Sequence, residues 1–178
     1  MLVTISGLPG SGTTTVSRLV AEALGLDRVP GGEVFRLMAA ESEMTLAEFG
    51  VHAQGHPEID LELDSRLEAR AREGECVLES RLAGWLVTRA GLDAVRVWVD
   101  CDDQVRAARV AERDDTSLAE ALIDNAERSD LERARYRAVY DIDLDGRSTY
   151  DLVLDSSTEA PEVLAATIVE AARGMPDF

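Results

Sequence analysis

Short apolar runs alternate along the chain with longer stretches in which apolar residues recur every three or four positions. The apolar runs predict strands at 2–6 (LVTIS), 26–29, 76–80 (CVLES), 94–100 (AVRVWVD) and 150–154. The longer stretches have the helical period and cover 14–24, 33–42, 45–53, 58–72, 103–113, 118–140 (one helix or two) and 160–172. Strands that alternate with helices predict a parallel sheet covered on both faces. With no repeat or linker, we predict one α/β domain.

Composition and charge narrow the class of protein. The 178 residues are 46% hydrophobic and 30% charged, which is typical of one globular domain. The 35 acidic residues exceed the 18 basic ones, all of them arginine, and give a formal net charge of −17. A surface of this sign repels phosphate backbones, so we expect no nucleic-acid partner. The acids are spread along the chain, which favours adaptation to high salt over an ordinary acidic protein.

The predicted cellular compartment rests on three sequence features, a disulfide framework, a membrane span and a signal peptide, none of which is recognisable here. Cys76 and Cys101 are too few for a disulfide framework and are expected to be buried free thiols. No apolar run approaches the roughly 20 residues that cross a bilayer, and MLVTISG at the start lacks the basic region of a signal peptide. We expect a cytoplasmic monomer with no membrane partner.

A glycine-rich loop follows the first predicted strand and precedes the first predicted helix. It is composed of Gly7, Leu8, Pro9, Gly10, Ser11, Gly12, Thr13, Thr14 and Thr15. Its spacing is that of a Walker A loop, whose backbone N–H groups and helix N-terminus bind a chain of phosphates. Thr14 stands where a hydroxyl would bind Mg²⁺. The alternative is a strand-to-helix turn that binds nothing.

The loop departs from the motif at Thr13, which occupies the place of the lysine. That lysine would neutralise charge on the β- and γ-phosphates, and no other lysine exists in the chain. Either an arginine from another segment does this work, or the loop binds triphosphate poorly.

Two groups of arginines are candidates. Arg36 lies in a glycine-led helix start (GGEVFR), and Arg81 follows the strand CVLES, so both can reach one phosphate at the carboxyl edge of the sheet. Arg109 and Arg113 share a helix face before a polar break at 114–117, and Arg128 lies beyond it. Arginines on both sides of such a break are typical of a lid. The alternative is that these arginines are solvated surface charges.

Acidic residues supply two further candidates. Glu79 ends the CVLES strand, faces the same edge and is a candidate to hold a water on Mg²⁺. The alternative is an ordinary acid at the end of a strand. Asp60 and Asp64 share one helix face and can reach a bound base, although a solvated acidic face is the simpler interpretation. His52 and His56 are expected to be surface residues, and Trp85 and Trp98 core residues.

The loop together with its continuation, ISGLPGSGTTTVSRLVAEALGL, resembles the archaeal-type cytidylate (CMP) kinases. Further stretches match the family in the same order along the chain. They are GGEVFR, FGVHAQGHPEIDLELD, CVLESRLAGW, RVAER with its two arginines, and RYRAVYDIDLDGRSTYDLVLDSS. The resemblance implies a P-loop, three-layer nucleoside monophosphate kinase fold with five parallel strands. It also implies an NMP-binding insertion at about 31–66 and a lid at about 113–130.

The resemblance further implies transfer of the γ-phosphoryl group of ATP to CMP or dCMP with Mg²⁺. Residues 7–15 would then bind ATP. Arg36, Arg81 and Asp64 would bind CMP, Thr14 and Glu79 the metal, and Arg81, Arg109, Arg113 and Arg128 would be catalytic. Two alternatives stay open, a kinase for AMP, UMP or another small acceptor, and an ATPase or sensor without an acceptor.

Overall fold

The structure, a computed structural model, describes residues 1–174, except for the side chains of residues 46 and 47. Within these residues the chain forms five strands and eight helices. The strands are β1 (Leu2–Gly7), β2 (Asp27–Pro30), β3 (Cys76–Glu79), β4 (Val95–Asp100) and β5 (Leu152–Asp155). The helices are α1 (Thr13–Leu24), α2 (Gly31–Glu41), α3 (Leu46–Gln54), α4 (Pro57–Arg72), α5 (Ala83–Arg89), α6 (Asp103–Asp114), α7 (Leu118–Tyr140) and α8 (Pro161–Arg173).

The strands form a single parallel sheet in the order β2-β3-β1-β4-β5. All six residues of β1 are buried, because this strand lies in the centre with helices on both faces. One face packs β1 against α1 and α8 through residues such as Val3, Val20 and Ile168. The other face packs β3 and β4 against α4 and α5. The predicted three-layer α/β fold with five parallel strands is therefore confirmed.

The structure differs from the predictions at several points and resolves one alternative that the sequence left open. Helix α5 was not predicted, because its buried residues leave no polar stripe to reveal a helical period; they are Ala83, Gly84, Leu86 and Val87. Helix α7 is continuous over 23 residues. The last strand begins at Leu152, two residues later than predicted. The Tyr150 ring before it packs on Trp98, with 5.3 Å between ring centroids. Trp98 is a core residue as predicted, whereas Trp85 is only partly buried.

Several smaller expectations can also be compared with the structure. Both cysteines are free thiols, but Cys76 is buried while Cys101 is partly exposed. His52 is exposed and His56 keeps 43% of its side chain accessible, as expected of surface residues. None of the described helices is long and apolar enough to cross a membrane.

Candidate active site

The glycine-rich loop between β1 and α1 makes a tight turn that other residues would obstruct. Gly10 and Gly12 have φ of 82° and 86°, a conformation that costs L residues free energy. A Cβ on Gly10 would lie 2.6 Å from the backbone oxygen of Arg106. A Cβ on Gly7 would lie 2.5 Å from Ser11 Oγ and 2.8 Å from the backbone oxygen of Val99. The glycine spacing is thus required by the path of the backbone.

The loop presents a set of hydrogen-bond donors without acceptors. The Ser11 N–H bonds the Leu8 oxygen at 3.1 Å, and its buried hydroxyl has no partner in the described part of the chain. Other backbone N–H groups of the loop also make no hydrogen bond to any described residue; they belong to Leu8, Gly10, Gly12, Thr13 and Thr14. Free donors at the N-terminus of a helix attract anions. The arrangement fits a chain of phosphates.

Three arginines donate to backbone oxygens of this loop. The contacts are Arg81 Nη1 to Gly7 (2.7 Å), Arg106 Nη1 to Pro9 (2.9 Å) and Arg109 Nη1 to Gly10 (3.4 Å). A peptide C=O and the N–H of the next residue point in opposite directions, so each contact helps to fix one N–H of the loop. The arginines therefore shape the loop and bring positive charge to it.

Arg106 was not singled out from the sequence, although a signal was present. It lies on the same face of α6 as Ala107 and Val110, and all three are buried. An arginine on the apolar face of an amphipathic helix is buried with its charge, which requires compensation. The position of Arg106 on the apolar face therefore indicated a buried polar contact, which the positions of the exposed arginines nearby do not.

Glu79, at the end of β3, accepts hydrogen bonds from both sides of the loop. Thr13 and Thr14 hydroxyls donate to Oε1 at 3.1 and 2.7 Å. Ser17 Oγ and Arg28 Nη1 donate to Oε2 at 2.8 and 2.9 Å. The hydroxyl at the lysine position thus contacts a carboxylate. Ser17 and Arg28 were not predicted to belong to the site, because only the fold brings β2 and α1 to this point.

The oxygen atoms around Glu79 fit a hard cation. Thr14 Oγ1 and Glu79 Oε1 are 2.7 Å apart, and hydroxyl and carboxylate oxygens are ligands that Mg²⁺ accepts. Among the described residues no group of three His, Cys, Asp or Glu could hold a metal by itself. A magnesium ion here would therefore complete its coordination with water and phosphate oxygens, as is usual for Mg²⁺.

Arg81 and Arg128, both predicted from sequence, meet at Glu132 on α7. Arg81 Nε donates to Oε2 at 2.9 Å and Arg128 Nε to Oε1 at 3.1 Å. Burial would raise the pKa of the Glu132 carboxyl, but the two guanidinium groups outweigh burial and hold that pKa below its ordinary value. Glu132 therefore stays ionised and links α7 to the start of the loop through Arg81.

The remaining predicted arginines differ in how they are held. Arg109 donates to the Ser156 backbone oxygen at 2.7 Å and to its hydroxyl at 3.1 Å, so it is anchored beyond β5. Arg113 is 63% exposed and pairs with the adjacent Asp114. Arg36 is exposed on the second turn of α2, and no ion pair in the described part of the chain involves it. Arg36 and Arg113 are therefore available to a ligand.

The interpretation of Asp60 and Asp64 as a solvated acidic face is wrong. Asp60 is 5% exposed and its Oδ2 lies 3.2 Å from Arg135 Nε on α7. Asp64 accepts a hydrogen bond from the Tyr140 hydroxyl, also on α7. Burial raises the pKa of Asp64 to about 6, although the Tyr140 hydrogen bond opposes this shift. Both carboxyl groups join α4 to α7, and the predicted contact of Asp64 with CMP stays a prediction.

The raised pKa of Asp64 predicts a pH-dependent effect on stability. Because the folded state binds this proton more tightly than the unfolded chain, ionisation of Asp64 destabilises the fold as the pH rises through about 6. Asp64→Asn is expected to increase the free energy of unfolding by about 1–2 kcal/mol at pH 8, and by little near pH 4. Urea unfolding of both proteins across this range measures the difference. An effect of equal size at both pH values would contradict the prediction.

The comparisons with known proteins agree with this site. The sequence matches the cytidylate kinase-like family over residues 2–158. Cytidylate kinase from Pyrococcus horikoshii is 47% identical over 172 residues, which cover 97% of this chain and 88% of the relative. Cytidylate kinase from Methanococcus maripaludis strain C7 is 41% identical over 158 residues, covering 88% of this chain and 89% of the relative.

Solved structures show the same fold at lower sequence identity. An uncharacterized protein from Eubacterium ventriosum superposes with a TM-score of 0.76 at 15% identity, covering 98% of this chain and 99% of the other. Shikimate kinase from Aquifex aeolicus gives 0.63 at 16% identity, with 98% and 97% covered. These structures show the fold alone. The sequence matches show that the chain is a nucleoside monophosphate kinase and belongs to the cytidylate kinase-like family.

Proposed function

We propose that this protein transfers the γ-phosphoryl group of ATP to CMP and dCMP, giving ADP with CDP or dCDP, in a Mg²⁺-dependent reaction. The observation that carries the proposal is the position of Arg81. Its Nη1 contacts the Gly7 oxygen at the start of the phosphate-binding loop, while its own segment borders the helix that carries Arg36. The choice of cytidine nucleotides rests on the names of the relatives, cytidylate kinases in each case.

The strand order separates a donor side from an acceptor side. The loop after β1, Arg109 on α6 and Ser156 after β5 lie toward the β4–β5 half of the sheet. Arg81 after β3 and Arg36 after β2 lie toward the other half. These latter segments touch, since a Cβ on Gly31 would lie 2.9 Å from Ser80 Cβ. We assign ATP to the first side and the acceptor phosphate to the second.

The mechanism that follows relies on positioning and charge. The free backbone N–H groups of the loop, those of Leu8, Gly10, Gly12, Thr13 and Thr14, hold the phosphates of ATP. Arg109 and Arg113 bind the phosphates from the side of α6. Arg36 and Arg81 hold the phosphate of CMP, and an oxygen of that phosphate attacks in line. Mg²⁺, when bound near Thr14 and Glu79, supplies neutralisation of phosphate charge. No protein nucleophile is needed.

We also assign the moving parts of the enzyme. Residues 31–66 form the NMP-binding insertion, which has a small apolar cluster of its own around Met38, Ala39 and Phe49. Residues 113–130 form the lid, which begins where α6 ends at Asp114 and includes the first half of α7. Within the insertion Asp64 contacts the bound nucleotide once Tyr140 releases it.

One assay tests the reaction and the setting together. ADP release from ATP and Mg²⁺ is measured with CMP, dCMP, UMP, AMP or no acceptor, in about 2 M and about 0.1 M KCl. We expect rapid turnover with CMP and dCMP. Turnover should be faster in about 2 M KCl, because salt screens the repulsion within a chain of net charge −17. We accordingly assign the protein to a cytoplasm of high salt concentration. Equal turnover without an acceptor would identify an ATPase or sensor. A response to AMP or UMP alone would leave the fold unchanged but refute the proposed acceptor.

A further inference from the structure

The guanidinium of Arg106 lies buried beneath the phosphate-binding loop. The residue is 3% exposed. Its Nη1 donates to the Pro9 oxygen at 2.9 Å, and its Nη2 to Asp103 Oδ1 at 2.6 Å. Its Nε is buried and finds no acceptor among the described residues. The group is therefore incompletely compensated by the protein itself.

The backbone of Arg106 is also locked to the loop. A Cβ added to Gly10 would lie 2.6 Å from the backbone oxygen of Arg106 and 3.1 Å from its Cα. The two backbones are therefore in close contact. The side chain and the main chain of one residue thus contact Pro9 and Gly10 in turn. Any movement of α6 at this point changes the direction of the Gly10 N–H, one of the loop donors that make no hydrogen bond within the described residues.

Charge balance distinguishes Arg106 from Arg81 and Arg28, which also pair with a carboxylate at this site. Arg81 is neutralised by buried Glu132, and Arg28 by Glu79, which is 12% exposed. The carboxylate partner of Arg106 is Asp103, whose side chain is 81% exposed and therefore well solvated. A positive charge in a region of low dielectric acts strongly on a nearby polyanion, whereas water screens the field of the exposed carboxylate.

We propose that Arg106 takes over the electrostatic role of the missing loop lysine. It acts as a positioning residue that holds the Pro9–Gly10 peptide, and its buried charge attracts the triphosphate from beneath the loop. The proposal rests on the proposed function in one respect, that ATP is the phosphate donor. It adds a residue that touches no substrate and explains how a loop with Thr13 in the lysine position retains affinity.

The test compares ATP binding by Arg106→Met with binding by the wild-type enzyme, using calorimetric titration with ATP and Mg²⁺ without an acceptor. Methionine keeps a long side chain in the same space and removes the charge. We expect ATP affinity to fall by about 10- to 100-fold, the range for loss of a hydrogen bond to a charged group. The affinity for CMP is expected to stay within about twofold, since Arg106 lies on the donor side.

Arg18→Met is the matched control. Arg18 is exposed on α1, pairs with Glu22 and carries the same charge, so this variant reproduces the change in net charge without touching the loop. We expect its ATP affinity to be unchanged in about 2 M KCl, because salt screens exposed charges. The deficit of Arg106→Met is expected to persist in the same salt, because its charge is buried.

Asp103→Asn is expected to change ATP affinity in the opposite direction. The Asp103 side chain is exposed, so its substitution does not disturb the core. Water already screens most of the field of this carboxylate, so its removal adds only modestly to the positive charge beneath the loop. ATP affinity is therefore expected to rise by only about two- to fivefold, while the melting temperature falls slightly. Arg106→Lys is expected to have intermediate affinity, because one ammonium keeps the charge but cannot reproduce both contacts of the fork.

The outcomes separate the two proposals. If the wild-type enzyme does not bind ATP, the proposed function fails. If it binds ATP and Arg106→Met binds equally well, the role of Arg106 is refuted. If Arg106→Met does not fold, Asp103→Asn and Arg106→Lys decide, and unchanged ATP affinity in both overturns the inference.

Discussion

Arg81→Ala is expected to reduce kcat with CMP by about three orders of magnitude, comparable to the loss of an arginine that stabilises a phosphoryl transition state. The guanidinium joins the loop at Gly7 to the acceptor side, so its removal affects both the charge and the alignment of the two phosphates. Folding should be largely preserved, because Glu132 keeps Arg128 as a partner. The free energy of unfolding should fall by only about 1–2 kcal/mol. Steady-state kinetics and urea unfolding measure both effects.

Arg137→Ala is the control for this variant. Arg137 lies in the last turn of α7. Its side chain is 64% exposed and pairs with Asp141, which is 91% exposed. We expect its kcat to equal that of the wild-type enzyme. Arg81→Lys should recover only part of the activity, because an ammonium group cannot bond Gly7 and Glu132 in the same fixed geometry. A kcat within about tenfold of wild type for Arg81→Ala would refute a catalytic role.

Glu79→Gln is expected to give the second largest loss, about 10²-fold in kcat, together with a higher Mg²⁺ concentration for half-maximal activity. Glutamine keeps the shape of the side chain but removes the negative charge. It also replaces one acceptor oxygen by a donor, so the hydroxyls of Thr14 and Ser17 can no longer both donate to this side chain. A titration of activity against Mg²⁺ separates a weakened metal site from a general loss of rate.

Glu33→Gln is a control with the same partner. Glu33 pairs with Arg28 at 3.2 Å, as Glu79 does at 2.9 Å, but its side chain is 56% exposed. This variant disturbs Arg28 without removing a carboxylate from the loop, and we expect its Mg²⁺ dependence to be unchanged. An unaltered Mg²⁺ requirement in Glu79→Gln would show that Glu79 organises the threonines without helping to bind the metal.

The sequence was sufficient for the parts of the fold that depend on local chemistry. The apolar runs marked each strand within about two residues, and the glycines of the loop could be recognised because a tight turn with positive φ requires them at fixed spacing. Helix α5 was not predicted because most of its residues are apolar and buried, so no polar face reveals a helical period. Its period is hidden by burial, and a sequence alone gives no sign of that.

The polar contacts of the site could be anticipated only in part. Arg81 and Glu79 were found because residues directly after a parallel strand lie at the carboxyl edge of the sheet. Glu132 could not be found in this way, since the buried face of α7 also contains Asn125 and Ser129 and therefore lacks an apolar stripe. Likewise, nothing in the spacing shows that Asp60 meets Arg135, because the contact joins positions 75 residues apart. Such pairs are determined by tertiary packing.

The central place of β1 has a consequence for the order in which the protein can fold during translation. Leu2 pairs with Cys76 on one side, and Val3 pairs with Val95 on the other, so both neighbours of β1 are synthesised long after it. At about 5–20 residues per second, the ribosome needs several seconds to supply them. During this interval a strand that is fully buried in the final structure has neither of its two partner strands. The phosphate-binding loop that follows β1 is therefore encoded early but acquires its shape late.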